Sequence, residues 1–254
     1  MKRHSNPEKY ILFDSNVVAS YYLPQSSRSK KVAERAKLII DYVMRGGAPD
    51  WLLLIPNIAI AEVFNVFAKY CYGTWNPHVQ KNLPGGLDQR TYKKIRNNFK
   101  KHIHNRHLFH QVELNRYHIL YSDLISSLDH YYQIYKMKGS KSKRITPLQT
   151  MDVLILSMGI ELNHLLGHER FFILTADNRM HDLCRRLKGG ISDGTVEKLG
   201  LKEIASELNL EFSTELYPRI LNLANAKISE LKAFFGEWPL IVPKRKRRQF
   251  NSTA

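Results

Sequence analysis

Three short blocks of consecutive apolar residues stand out along the chain: 10–13 (Tyr-Ile-Leu-Phe), 51–55 (Trp-Leu-Leu-Leu-Ile) and 171–174 (Phe-Phe-Ile-Leu). Uninterrupted runs of this length are expected of strands buried on both faces, as in a parallel sheet. Between them the apolar positions shift to a period near that of a helix. Val32, Ala36, Ile39, Ile40 and Val43 share one face of a helix expected over 29–45, which Gly46-Gly47 ends. Further helices are expected over 58–72, 89–104, 111–137, 178–187, 201–208 and 217–235, with one more strand over 211–216. Thr146-Pro147 reads as a helix start, with Thr146 as cap and proline in the first turn, and that helix continues to residue 166. The order of strands and helices predicts a central parallel sheet covered by helices on both faces.

The segment between the second and third apolar blocks changes character. Residues 80–145 hold 14 lysines and arginines against 4 acids, and six histidines. We therefore divide the chain into a first part of the core (1–75), a basic helical insertion (76–145), a second part of the core with C-terminal helices (146–240), and a basic tail (241–254) expected to be disordered. The whole chain of 254 residues has 39 lysines and arginines against 23 acids, a net charge of +16. Such an excess points to a polyanionic partner, with nucleic acid the commonest. Two cysteines, Cys71 and Cys184, exclude a disulfide framework and a CxxC metal knuckle, and a reducing, cytoplasmic setting fits them. The polar start is unlike a secretory signal, and no apolar run reaches the length of a membrane span.

Four acids stand out against this background. Asp14 and Asp177 each follow an apolar strand, at the carboxyl end where open parallel sheets carry their sites. Glu62 and Asp152 lie early in helices, inside apolar sequences (Ile60-Ala61-Glu62-Val63-Phe64 and Met151-Asp152-Val153-Leu154-Ile155). A carboxylate on a core-facing position is costly unless a cation or donor meets it. Each acid alone has a simpler role, capping a turn or complementing a helix dipole. All four in one alternating α/β order favour a shared site for a hard divalent cation, Mg²⁺ or Mn²⁺, of the kind that supports phosphodiester hydrolysis.

These motifs resemble the PIN domain, the nuclease fold of VapC-type toxins and of many RNA-processing factors. The resemblance rests on Ile11-Leu12-Phe13-Asp14-Ser15-Asn16-Val17, Pro56-Asn57-Ile58-Ala59-Ile60-Ala61-Glu62-Val63, Gln149-Thr150-Met151-Asp152-Val153-Leu154-Ile155-Leu156 and Phe172-Ile173-Leu174-Thr175-Ala176-Asp177-Asn178, and covers less than half of the chain. It implies a PIN-like three-layer α/β/α fold and an endoribonuclease that uses Mg²⁺ or Mn²⁺ and a metal-bound water. Asp14, Glu62, Asp152 and Asp177 would be the ligands, and Asn16 and Thr175 would orient ligands or phosphate. Asn178 and Asp182 are the nearby options for a further ligand. Met180 stands where the family often carries an aromatic residue, and the 76–145 segment exceeds what a compact member needs.

Lys93, Lys94, Arg96, Lys100, Lys101 and Arg106 have the spacing of a basic helix face, and Lys141, Lys143 and Arg144 belong to a basic Gly-Ser loop; all nine are expected to contact phosphate. Tyr92, Phe99, Phe109 and Tyr117 are interleaved and offer stacking surfaces for unpaired bases, or else belong to the core. His104, His107 and His110 have a zinc-like spacing, but the surrounding cations disfavour it. The tail run 244–248 (Lys-Arg-Lys-Arg-Arg) reads as an interaction arm. The expected partner is RNA, with DNA as the alternative, and no membrane. A homodimer is compatible with this reading; an antitoxin-type protein partner is less favoured because such toxins are compact. The rival reading is a non-catalytic PIN-like module that binds RNA or protein.

Overall fold

Five strands form a single, wholly parallel sheet in the order β3-β2-β1-β4-β5. The structure is a computed structural model that describes residues 7–24, 29–72, 87–104, 108–139 and 146–238. The three apolar blocks become β1 (Lys9–Phe13), β2 (Trp51–Pro56) and β4 (Phe171–Thr175), and every residue of β4 is buried. Two shorter strands, β3 (His110–Val112) and β5 (Arg219–Asn222), complete the edges. The chain steps outward from β1 to β2 to β3, then returns to the other side of β1 for β4 and β5. The β1/β4 pair is therefore the switch point, where a doubly wound sheet opens a crevice beyond its carboxyl ends.

The helices cover the sheet from both sides, as right-handed crossovers require. Helix α1 (Ser15–Tyr22) follows β1 directly and packs on α2 (Lys30–Met44) and α3 (Asn57–Tyr72), which in turn packs on α4 (Gln89–His104). Helix α5 (Arg116–Gly139) runs along α6 (Thr150–Leu166), which lies on β4. Gly159 permits that approach: a Cβ there would meet Ile173 Cδ1 at 2.5 Å. Asp152, seven residues earlier and so about 10 Å along the axis, thereby reaches the carboxyl edge. Helices α7 (Asn178–Leu187), α8 (Asp193–Lys198), α9 (Leu201–Glu207) and α10 (Ile228–Phe235) complete the described chain. Among the described residues no helix is long and apolar enough to cross a membrane.

Several sequence expectations need correction. The described parts of the 76–145 segment (87–104 and 108–139) are largely helical as expected, but they also supply β3, and their Ile95, Phe99, Ile103, Leu124, Ile125 and Leu128 join the same apolar core as β1 and β4. They are part of the fold and not an appended layer. The strand expected over 211–216 is absent, and β5 lies instead at Arg219–Asn222, inside the helix expected over 217–235. Pairing with β4 holds Arg219–Asn222 as a strand, Pro218 disfavours helix in the residue before it, and Asn222 turns the chain by accepting from Ala224 N at 2.8 Å. The helix expected from Thr146-Pro147 begins only at Thr150, capped by Gln149. Leu148 is held in extended chain because its N–H donates to buried Asp129 at 2.8 Å.

A second buried polar group joins α5 to α6. The His118 ring is 2% exposed; Nδ1 accepts from Asn115 N at 2.9 Å, so Nε2 carries the proton donated to Glu161. Asn115 Nδ2 donates to both oxygens of Glu161, at 3.2 and 3.1 Å. Burial pushes the imidazole below its ordinary pKa, although the Glu161 charge opposes the shift. The folded protein thus favours neutral His118, and the unfolded chain binds the proton more readily, so this group's contribution falls as pH drops below about 6.5. Wild type should therefore lose more melting temperature between pH 7.5 and 5.5 than His118→Gln does. Equal losses in thermal melts would remove His118 as the source.

Candidate functional site

The carboxyl ends of β1 and β4 are tied together by one hydroxyl. Asp14 N donates to Leu174 O at 2.9 Å, which aligns the two strand ends. Thr175 Oγ1 donates to Asp14 Oδ2 at 2.8 Å and accepts from Asp177 N at 2.8 Å, linking the two strand-end acids. Ser15 Oγ reaches Asp14 Oδ1 at 3.2 Å and Asn16 Nδ2 reaches Oδ2 at 3.4 Å. Asp14 has 0% exposure, so a charge there is fully removed from water. Burial drives its carboxyl above the ordinary range; the Thr175 hydroxyl opposes this, and the negative charge of Glu62 adds to it.

The simple capping roles and the shared site coexist. Asp14 caps α1, Asp177 caps α7 by accepting from Arg179 N at 2.6 Å, and Asp152 accepts from Gln149 N at 3.1 Å at the start of α6. These three caps face the same crevice. Burial pushes Asp152 up to about 6, and the charges of Asp14 and Asp177 add to that against the pull of Gln149 N–H and Arg179. Glu62, half-buried on the second turn of α3, belongs to the cluster through its field on Asp14. The charge of Glu62 thus adds to the proton affinity of Asp14, and the charges of Asp14 and Asp177 add to that of Asp152.

Arg179 supplies part of that charge, and the sequence reading missed it. Its Nη2 lies 2.6 Å from Asp177 Oδ2 and 3.1 Å from Asp152 Oδ2. Nε donates to both Asp177 oxygens at 3.2 Å, and Nη1 donates to Pro147 O at 3.0 Å. Burial would raise Asp177, but the Arg179 hydrogen bonds and charge outweigh it and hold this carboxyl below the usual range. One sequence signal was present: an arginine in the first turn of a helix opposes the dipole and needs a nearby anion. Among the described residues no group of three or more His, Cys, Asp or Glu side chains is placed so that it could hold a metal ion as it stands.

Of the residues expected to support the acids, Asn16 and Thr175 contact Asp14. Asn178 does not turn toward them. Its Oδ1 accepts from Asn222 Nδ2 at 2.8 Å and from Asn225 Nδ2 at 2.6 Å, bracing α7 against the turn after β5. Asp182 is paired with Arg185 at 3.6 Å.

The basic face of α4 has a physical basis. Ile95, Phe99 and Ile103, four residues apart, enter the core, which leaves Lys93, Lys94, Lys100 and Lys101 exposed. Tyr92 lies against Tyr72, and Phe99 against Phe64 and Phe67, so α4 runs antiparallel to α3. Its last turn therefore approaches the carboxyl edge, where Ile103 O accepts from Gln111 Nε2 beside β2. Arg96 is half-buried with its guanidinium over the Tyr92 ring. Phe99 and Phe109 are fully buried, so they are core residues and not stacking surfaces; Tyr117 is exposed, with Arg116 over its ring. Arg106, His107, Lys141, Lys143, Arg144 and the 244–248 run lie outside the described residues.

Compared with models of protein families, with curated proteins and with solved structures, the chain finds no match in any of the three.

Proposed function

We propose that this chain is a divalent-metal-dependent endoribonuclease of the PIN-like kind. The observation that carries the reading is the meeting of Asp14, Asp152 and Asp177 at the switch point of a parallel sheet, with Glu62 in electrostatic reach. The donor set fits a hard cation: all donors are carboxylate oxygens, and they are partly desolvated and mutually repelling. Asp14, Glu62, Asp152 and Asp177 would hold Mg²⁺ or Mn²⁺, which supplies Lewis acidity toward water and toward the phosphate oxygens.

The chain's own residues prepare that chemistry. Thr175 and Asn16 fix Asp14 in one orientation, so no reorganisation is needed when substrate arrives. Asp152 and Asp177 are held at the starts of two helices whose positions the sheet dictates. Lys100 and Lys101 are exposed near the end of α4 that approaches the carboxyl edge, where they would suit the phosphates flanking the cut; Lys93 and Lys94 lie two turns earlier on the same helix. Incubation of labelled single-stranded RNA with Mg²⁺ or Mn²⁺ is expected to give internal cleavage that EDTA abolishes. Cleavage unaffected by EDTA, or cleavage of DNA alone, would refute the reading.

The pairing of Arg179 with two of the acids favours a second reading, a PIN-like module that binds RNA without cutting it. RNA that binds tightly and stays intact in the presence of Mn²⁺ would select this alternative. Both readings share one expectation. Lys100→Glu/Lys101→Glu should weaken RNA binding across sequences and reduce the slope of log affinity against log salt by about 2, roughly one per lysine. An unchanged slope in a salt titration would remove α4 from the interface.

A further inference from the structure

We propose that Arg179 is a built-in counter-cation: it holds Asp152 and Asp177 until a substrate phosphate draws its guanidinium away, so that polyanion and divalent ion load the site together. This regulation rests on the metal-site reading given above. The hydrogen-bond inventory supports it. Asp177 Oδ1 receives Arg179 N and Nε, and Oδ2 receives Nη2 and Nε. Asp152 Oδ2 receives Gln149 N and Arg179 Nη2. Arg179 therefore engages the same carboxylate lone pairs that a hard cation requires, and the two compete.

The arginine is also placed to leave. It sits in the first turn of α7, where the helix dipole disfavours a cation, so the carboxylates and Pro147 O are what retain it. Its side chain is 31% exposed, which gives it a path outward. A phosphodiester oxygen pair matches the planar guanidinium as well as a carboxylate does. By linkage, if phosphate contact weakens the hold of Arg179 on the acids, then RNA tightens metal binding and metal tightens RNA binding by the same factor.

The test is Mn²⁺ affinity, measured by electron paramagnetic resonance on the full chain, with and without a 2′-O-methyl phosphorothioate oligoribonucleotide. Without the oligonucleotide, Arg179→Gln is expected to bind Mn²⁺ about tenfold more tightly than wild type, with Arg179→Lys between the two, because one ammonium cannot span both carboxylates. The oligonucleotide should tighten Mn²⁺ binding to wild type by about tenfold and to Arg179→Gln by less than about twofold. The proposal is overturned if coupling in Arg179→Gln equals that in wild type, or if either folded variant binds Mn²⁺ no better than wild type does; Arg179 is then a structural brace. Should Arg179→Gln fail to give a native circular dichroism spectrum, Arg179→Lys carries the same comparison. If wild type takes up no Mn²⁺ in either arm, the metal-site reading itself fails and this inference falls with it.

Discussion

Asp14→Asn is expected to cut metal-dependent RNA cleavage by about a thousandfold or more while making the metal-free protein more stable. The loss follows from removing the one acid that is wholly buried at the switch point, since a ligand contributing several kcal/mol of transition-state stabilisation is worth at least that factor. The gain in stability follows from the same burial. The folded state raises the Asp14 carboxyl above its ordinary range, so its ionised form at neutral pH opposes folding. Asparagine is neutral and nearly isosteric. Its Oδ1 can accept from the Thr175 hydroxyl and Asn16 Nδ2, and its Nδ2 can donate to the Ser15 hydroxyl, with loss only of the long 3.5 Å cap bond from Asn16 N. In EDTA the melting temperature should rise by about 2–4 °C, the equivalent of about 1 kcal/mol for a chain of this size. A variant that melts lower and still cleaves would show that Asp14 is a structural cap only.

The second large effect concerns the basic helix. Phe99→Ala should destabilise the protein by about 3–5 kcal/mol. The Phe99 ring is fully buried, with the rings of Tyr22, Phe64 and Phe67 at 5.1, 5.0 and 5.6 Å between centroids. Its removal leaves a cavity at the junction of α1, α3 and α4 that the surrounding aromatics cannot refill. The exposed lysines on the same helix should change stability by less than about 0.5 kcal/mol when replaced. Chemical denaturation of both variants separates the two faces of α4. A Phe99→Ala protein as stable as wild type would mean that the 76–145 segment is detachable after all.

The sheet core was legible because burial on both faces leaves an unmistakable mark: β1, β2 and β4 are the three uninterrupted apolar runs. The edge strands were not. Strand β3 is three residues, His110-Gln111-Val112, and only its pairing with β2 makes it a strand. Strand β5 was obscured by the helical spacing of apolar residues on either side of it. Helix α1 was hidden for a different reason. Its Ser, Asn and β-branched Val residues have low helix propensity, and capping by Asp14 with packing on α2 and α3 overrides that preference.

The candidate site divides along similar lines. The strand-end acids and the two helical acids could be read from the sequence because acids inside apolar runs conflict with their surroundings. Asp129 could not, and Arg179 showed only the mark of a cation in the first turn of a helix, since the significance of both depends on which helices the fold brings together. Asp129 lies on α5, yet its carboxylate fixes the approach to α6 through Leu148 N and adds to the field on Arg179. Asn178 looked like a ligand by adjacency, but its amide oxygen is engaged by Asn222 at the end of β5 and by Asn225 in the turn after it, more than forty positions away.

In this reading four carboxylates hold one kind of cation at the β1/β4 switch point. Calorimetric titration of Mn²⁺ into wild type and into Asp14→Asn, Glu62→Gln, Asp152→Asn and Asp177→Asn tests it most directly. Saturable binding is expected in wild type, weakened by about tenfold or more in each variant. Wild type that takes up no Mn²⁺, or variants that bind it as wild type does, would rule out a shared cation site there.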